Sequence, residues 1–250
     1  MQYHLDTIPV WEVMEKSAEC PLCALHRKVE ADEVERSLGG SVMEPDARIR
    51  INKTGICREH NAQLFALQNR LGHALLIDSH SKEKLAQLDA LVGALEGGKP
   101  RSLFGGKSDS ATDRAISALK DMNEGCVLCE NIDTHMQRYL HTFTHLFKTE
   151  QKFRDRWNAS KGVCAPHAVE LLEASRKSMS DSQQREFAAS VVGLLRKSLT
   201  ESEKELEWFS LKFDYRNQDK PWGNSKTALE RTINRLRGWC VGEPPWQKEK

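Results

Sequence analysis

Two short cysteine motifs recur in the same order along this chain and limit what it can fold into. Cys20-Pro-Leu-Cys23 is followed by Cys57-Arg-Glu-His60, and Cys126-Val-Leu-Cys129 is followed by Cys164-Ala-Pro-His167. The CxxC moves from 20 to 126, an offset of 106, and the CxxH from 57 to 164, an offset of 107. The approach to each CxxH also matches, Gly55-Ile56-Cys57 against Gly162-Val163-Cys164. Two paired motifs repeated at nearly one spacing point to an internal duplication of roughly a hundred residues.

The spacing carries a chemistry. Two cysteines three positions apart turn their sulfurs to one point where a loop enters a helix, and a CxxH does the same from a second point. Three thiolates and one imidazole form a tetrahedral set that suits zinc. Read copy by copy, one ion is expected on Cys20, Cys23, Cys57 and His60, and a second on Cys126, Cys129, Cys164 and His167. A Zn2+ with three thiolates and a neutral histidine carries a formal charge of minus one, which nearby helix N-termini would stabilise. A quartet of protein ligands without a vacancy is the pattern of a structural zinc.

Other readings of the cysteines explain less. Accidental burial would have to strike both quartets. A thioredoxin-like CxxC leaves the paired CxxH unexplained in both copies. Covalent haem needs histidine directly after the second cysteine, where Ala24 and Glu130 stand. An iron–sulfur cluster, which cysteine with histidine can ligate, stays open as the alternative cofactor to two zinc ions.

Composition narrows the setting. The 250 residues hold 37 Lys and Arg against 36 Asp and Glu, a balance that argues against a dedicated nucleic-acid surface. No run of apolar residues has the length of a membrane span, and Met1 to Val10 lacks the features of a signal peptide. A cytoplasmic setting, where thiols stay reduced, is therefore expected.

Between the motifs the pattern is helical, with few period-two runs, so the expected class is all-α: two duplicated helical units, each stapled by a Cys3His site and packed as one body. The expected divisions are a first repeat over 1–98, a linker over 99–110 marked by clustered glycines, a second repeat over 111–213, and a tail over 214–250 with one helix. Ser41 to Thr54, with Pro45, reads as a long connection. One long helix is expected after His60, with an apolar seam through Leu64, Leu67, Leu71, Ala74, Leu85, Leu88, Val92 and Leu95. In the second repeat Ile132, Met136, Leu140, Phe143 and Phe147 share one helical face, and Ser180 suits an N-cap.

Other polar groups are weaker candidates. His141 and His145, with His135 nearby, have helical spacing for a metal, but no glutamate stands in a zincin position and surface or packing roles fit better. His73, Asp78 and His80 interrupt the seam, and a solvated bend explains them. Glu44, Asp46, Arg48 and Arg50 precede Cys57, where the second copy has Phe153, Arg154, Asp155 and Arg156; local ion pairs are the plainer reading than a binding loop. Lys226, Arg231, Arg235 and Arg237 give the last helix a basic, solvated face, and Cys240 has no partner motif.

Several stretches also resemble an uncharacterised bacterial family, domain of unknown function family 6062. They are Thr7-Ile8-Pro9-Val10 before the first CxxC, Gly39 to Asp46, Asn52-Lys53-Thr54-Gly55, Gln68-Asn69-Arg70-Leu71-Gly72, Phe213-Asp214-Tyr215-Arg216 and Pro221-Trp222-Gly223. The resemblance covers most of the chain. It implies a bacterial, cytosolic setting and supplies no activity. The expectation for function is a zinc-stabilised helical binding or adaptor protein with a protein or small-molecule partner; an iron–sulfur or thiol redox protein and a metal-dependent hydrolase are the alternatives.

Overall fold

The computed structural model describes residues 3–16, 18–97 and 110–247, and among them every regular element is helical. In order these are α1 (Tyr3–Glu15), α2 (Pro21–Leu38), a 3-10 turn (Gly40–Met43), α3 (Pro45–Thr54), α4 (Arg58–Ala66), α5 (Arg70–Glu96), α6 (Ala111–Asn123), α7 (Val127–Thr149), α8 (Gln151–Asn158), α9 (Ala165–Arg176), α10 (Asp181–Leu211), two further 3-10 turns (Tyr215–Asn217 and Gly223–Thr227) and α11 (Ala228–Arg237). The all-α expectation holds. The helices α1 to α5 and α6 to α10 run in parallel order along the chain: a CxxC opens α2 and α7, a CxxH opens α4 and α9, and α5 and α10 are the long members. No described helix is long and apolar enough to cross a membrane.

Two expectations are corrected. The stretch from Ser41 to Thr54 is not a connection; it forms the 3-10 turn and α3. Pro45 sits in the first turn of α3, where its missing N–H leaves no hydrogen bond unmade, and Asp46 lies beside it at the positive end of the helix. The single long helix after His60 is broken into α4 and α5. Gln68 adopts a left-handed φ of 65°, and the Asn69 side chain then caps α5 by accepting from the Gly72 N–H at 3.0 Å. The break rotates α5, so only Gly72 and Leu76 are buried along it, while Leu67, Leu71, Leu85 and Val92 of the expected seam are exposed.

The contacts divide the chain into two compact units, 1–29 with 133–250, and 30–132. The borders fall within α2 and α7; residues 98 to 109, most of the expected linker, lie outside the described residues. The first unit has an aromatic core. Phe143 of α7 packs edge-on against Phe153 (4.8 Å between ring centres) and Trp157 (5.2 Å) of α8, and Phe147 against Phe187 of α10 (4.7 Å). Trp157 is fully buried, and its indole N–H donates to Ser190 Oγ at 2.8 Å, so the one polar atom of the ring is satisfied. The Arg156 guanidinium donates to the carbonyls of Met14 and Glu15, joining α8 to the end of α1.

The second unit has an aliphatic core of Val34, Leu38, Val42, Ile51, Leu64, Leu76, Val127 and Leu128 around Cys126. Polar ties run round it. Asn69 Nδ2 donates to Leu38 O, Arg48 to Leu75 O at 3.1 Å, and His80 Nδ1 lies 2.9 Å from Asn52 O. Arg50 reaches Glu130 and Asn131. Arg48, Arg50 and His80 therefore have structural duties, and the exposed Asp78 pairs with Lys82.

Candidate metal centres

All four motifs lie where a loop enters a helix. Cys20 and Cys126 immediately precede α2 and α7, with Cys23 and Cys129 in the first turns; Cys57 and Cys164 are the N-caps of α4 and α9, with His60 and His167 in the first turns. The first N–H groups of a helix have no intrahelical acceptor and turn toward whatever stands there, so each CxxC presents a backbone donor to its own first thiolate. The Cys23 N–H, for example, donates to Cys20 Sγ at 3.4 Å.

The eight side chains form two clusters, but not the two expected. Cys20 and Cys23 meet Cys164 and His167, whereas Cys57 and His60 meet Cys126 and Cys129. The first CxxC is completed by the second CxxH, and the second CxxC by the first CxxH. The physical reason is visible in the two units: the segment carrying Cys164 and His167 packs with residues 1–29, and that carrying Cys126 and Cys129 with 30–132, so each cluster lies wholly inside one unit. We call them the 20/164 and 57/126 centres.

The geometry fits one tetrahedral ion in each. A Zn–S bond of about 2.3 Å places two sulfurs of a tetrahedron about 3.8 Å apart. In the 20/164 centre Sγ of Cys164 lies 3.7 Å from that of Cys20 and 3.6 Å from that of Cys23; in the 57/126 centre the Cys57 and Cys129 sulfurs are 3.9 Å apart. These separations are nearly twice a disulfide bond of about 2.05 Å, and all seven cysteines are free thiols. His167 Nδ1 stands 3.1–3.5 Å from its three sulfurs and His60 Nδ1 3.2–3.4 Å from its own. In each centre the four ligand atoms lie within 4.8 Å of one another. A polynuclear iron–sulfur cluster would spread its protein ligands over two or more irons, so that some pairs would stand farther apart than one tetrahedral edge, whereas here all four ligand atoms gather around one point.

The electrostatics also call for a cation. The hydrogen bond with Cys126, helped by Glu30, raises His60 to about 10. Burial opposes a charge on His167, yet its bonds with Cys164 and Cys20 win and raise it to about 10. Burial pushes the Cys126 thiol up, but the bonds from His60 and neighbouring backbone bring it down to about 6. Cys20 is held well below its ordinary value: burial acts against this, and the contacts with Cys164, Cys23 and His167 outweigh it. Cys23 is raised by its hydrogen bonds with Cys164 and Cys20, and Cys129 by burial and the neighbouring Cys126 charge. Without an ion, several thiols compete for the negative charge that one divalent cation would let them share.

The two centres have different surroundings. His60 Nε2 faces Glu30 Oε1 at 3.5 Å, and that oxygen accepts from Gln63 Nε2 at 2.8 Å, so a carboxylate stands behind the imidazole. At the 20/164 centre the Trp239 N–H donates to Cys23 Sγ at 3.4 Å, and a cleft of about 910 Å³ lies alongside, lined by Cys20, Cys23, Arg231, Arg235, Trp239 and Pro244 among others. The sequence reading gave the tail no part in either site; the only signal was the density of Trp, Pro and Gly after Pro221.

The weaker candidates do not join the centres. His135 meets Arg138 and stacks on Tyr139. His141 lines a separate cleft of about 300 Å³ with His26, Asp133, Glu170 and Glu173, and these donors are not gathered around one point as the cysteines are. Cys240 is exposed. Arg235, read as part of a solvated face, is buried.

The profile of a family of unknown function, DUF6062, matches residues 1–243. No curated protein and no solved structure matches the chain.

Proposed function

The chain belongs to the family of unknown function DUF6062, and we propose, from the two centres themselves, that it is a cytoplasmic zinc protein whose two structural Zn2+ ions hold a helical scaffold for binding a partner. The observation that carries this reading is the spacing of the sulfurs, 3.6–3.9 Å, at the edge length of a tetrahedral zinc–thiolate site. Three thiolates favour zinc over the harder divalent ions, and four protein ligands leave no position for a reacting water. The ions join helix starts far apart in the chain, so their binding energy becomes folding energy.

A binding role is supported by the cleft beside the 20/164 centre. Its volume of about 910 Å³ lies within the range of small-ligand sites, and its wall combines an indole and prolines with arginine and glutamate side chains. A small molecule or a short segment of a protein partner would fit there.

Elemental analysis with an absorption spectrum, on protein purified without oxygen, tests the metal. Two zinc per chain and no visible band is the expected result. Iron with a visible charge-transfer band contradicts it and favours the redox alternative.

A further inference from the structure

Both centres use the same donor set, yet the protein encloses them differently. In the 20/164 centre all four ligands are buried; in the 57/126 centre Cys57 and Cys129 are only partly covered. α11, which follows the two parallel series of helices and has no counterpart within them, leads into the turn that meets the 20/164 centre.

Arg235 of α11 is 2% exposed. Its Nη2 donates to Glu19 Oε2 at 2.9 Å and its Nη1 to the Lys161 carbonyl at 3.1 Å. Glu19 precedes Cys20, and Lys161 lies three residues before Cys164, so one guanidinium ties together the two loops that deliver the ligands. Lys161 and Glu19 close the triangle with an ion pair of their own. Gly238, at φ 83°, then ends α11 and turns the chain so that the Trp239 N–H reaches Cys23 Sγ. Arg231, one turn before Arg235, is paired with Glu205 of α10 at 2.5 Å, which anchors the helix that carries the clasp. At the 57/126 centre the ligand loops are joined by a backbone bond, Val127 N–H to Gly55 O at 3.1 Å, and Glu30 supports His60 from behind. Neither covers Cys57 or Cys129.

Ligand exchange at a closed tetrahedral ion needs an incoming group to reach the metal or a ligand to swing away, and the surrounding shell controls both. The cleft beside the 20/164 centre reaches Cys20 and Cys23, which are only 5% and 7% exposed, so the swing of a ligand loop is the step that Arg235 restrains there. We infer that the two centres differ in role: the 20/164 centre is a permanent staple locked by Arg235, and the 57/126 centre takes up and gives up its ion, so that the protein exchanges one divalent cation of the zinc class per chain with its surroundings. The inference rests on the zinc reading above.

The test starts from the full chain with its zinc content measured. Excess chelator is added, zinc release is followed, and timed pulses of N-ethylmaleimide mark freed thiols for mapping by peptide mass. The exposed Cys240 reacts at once and serves as the internal reference. The expected result is release in two equal phases: labelling of Cys57, Cys126 and Cys129 follows the fast one, and Cys20, Cys23 and Cys164 follow at least about tenfold more slowly. Arg235→Gln should speed the slow phase by about 10–100-fold and leave the fast phase unchanged. Glu19→Gln, a milder change at a partly exposed residue, should move the same phase in the same direction and decides the matter if Arg235→Gln perturbs the helical circular dichroism. A single phase, earlier labelling of Cys20, or a slow phase indifferent to Glu19→Gln overturns the inference. A 57/126 centre that arrives part-empty is first refilled with zinc chloride; iron in place of zinc, or failure to reach two zinc after refilling, overturns the metal reading instead.

Discussion

Three glycines with positive φ stand at the entrances to the ligand loops: Gly55 at 87°, Gly125 at 89° and Gly162 at 72°. Each lets the chain leave one helix and present the next cysteine within one or two residues. A Cβ on Gly162 would stand 2.9 Å from the Leu194 Cβ, in a backbone conformation that side chains resist. Gly162→Ala should therefore cost about 1–3 kcal/mol, read as a lower unfolding midpoint of the metal-loaded protein. Gly193→Ala, in α10 with nothing within 4 Å of the new methyl, should be neutral or stabilising by up to about 1 kcal/mol. The ligands themselves set a pH dependence. Without metal His60 and His167 sit at about 10 and hold their protons at neutral pH, while Cys126 at about 6 has largely lost its own. Metal binding must expel the remaining protons, so lowering the pH weakens binding, by about tenfold per unit for each proton expelled. A competition titration at pH 8 and pH 6 should show weaker binding at pH 6; equal affinity would mean that the ligands are already deprotonated. That these eight side chains gather into two clusters of three cysteines and a histidine was legible from the motifs alone, because cysteine at i and i+3 before a helix has few other uses. Buried Arg235 was not, because a basic residue on a short amphipathic helix looks the same in sequence whether it faces water or a carbonyl.

At the scale of elements, the helices with strong single-face patterns were legible. In α7 Ile132, Met136, Leu140, Phe143 and Phe147 are all buried as their spacing implies, and Ser180 is the N-cap of α10, its N–H donating to Gln183 Oε1 at 3.0 Å. The errors lie where one residue has two uses. Pro45 marks either a loop or a first helical turn, and only the packing of Ile51 in the aliphatic core settles which. The seam across α4 and α5 looked continuous because Gln68 carries no sign that it turns left-handed; Asn69 after it was the available cue, as a capping residue in front of Gly72. The exposed leucines beyond the break show that a three-four alternation does not prove burial when a helix runs past the core it serves.

Over the whole molecule, the crossing of the ligand pairs is where the sequence reading failed, since it paired each CxxC with the CxxH of its own copy. Two CxxC and two CxxH motifs allow a sequential or a crossed assignment, and both use every ligand. Nearness along the chain favours the sequential one only weakly, since the entropy of closing a loop grows with the logarithm of its length. The packing decides, by bringing the second CxxH to residues 1–29 and the second CxxC to 30–132. An ion in the 20/164 centre would then tie together residues 144 apart, Cys20 and Cys164, and one in the 57/126 centre residues 72 apart, Cys57 and Cys129. The most direct test is the double variant Cys20→Ser, Cys23→Ser in the full chain, zinc-loaded, treated with N-ethylmaleimide and mapped by peptide mass. The crossed arrangement predicts one zinc per chain, with Cys164 newly labelled and Cys57, Cys126 and Cys129 protected. Labelling of Cys57 with protection of Cys164 would contradict it and restore the sequential pairing.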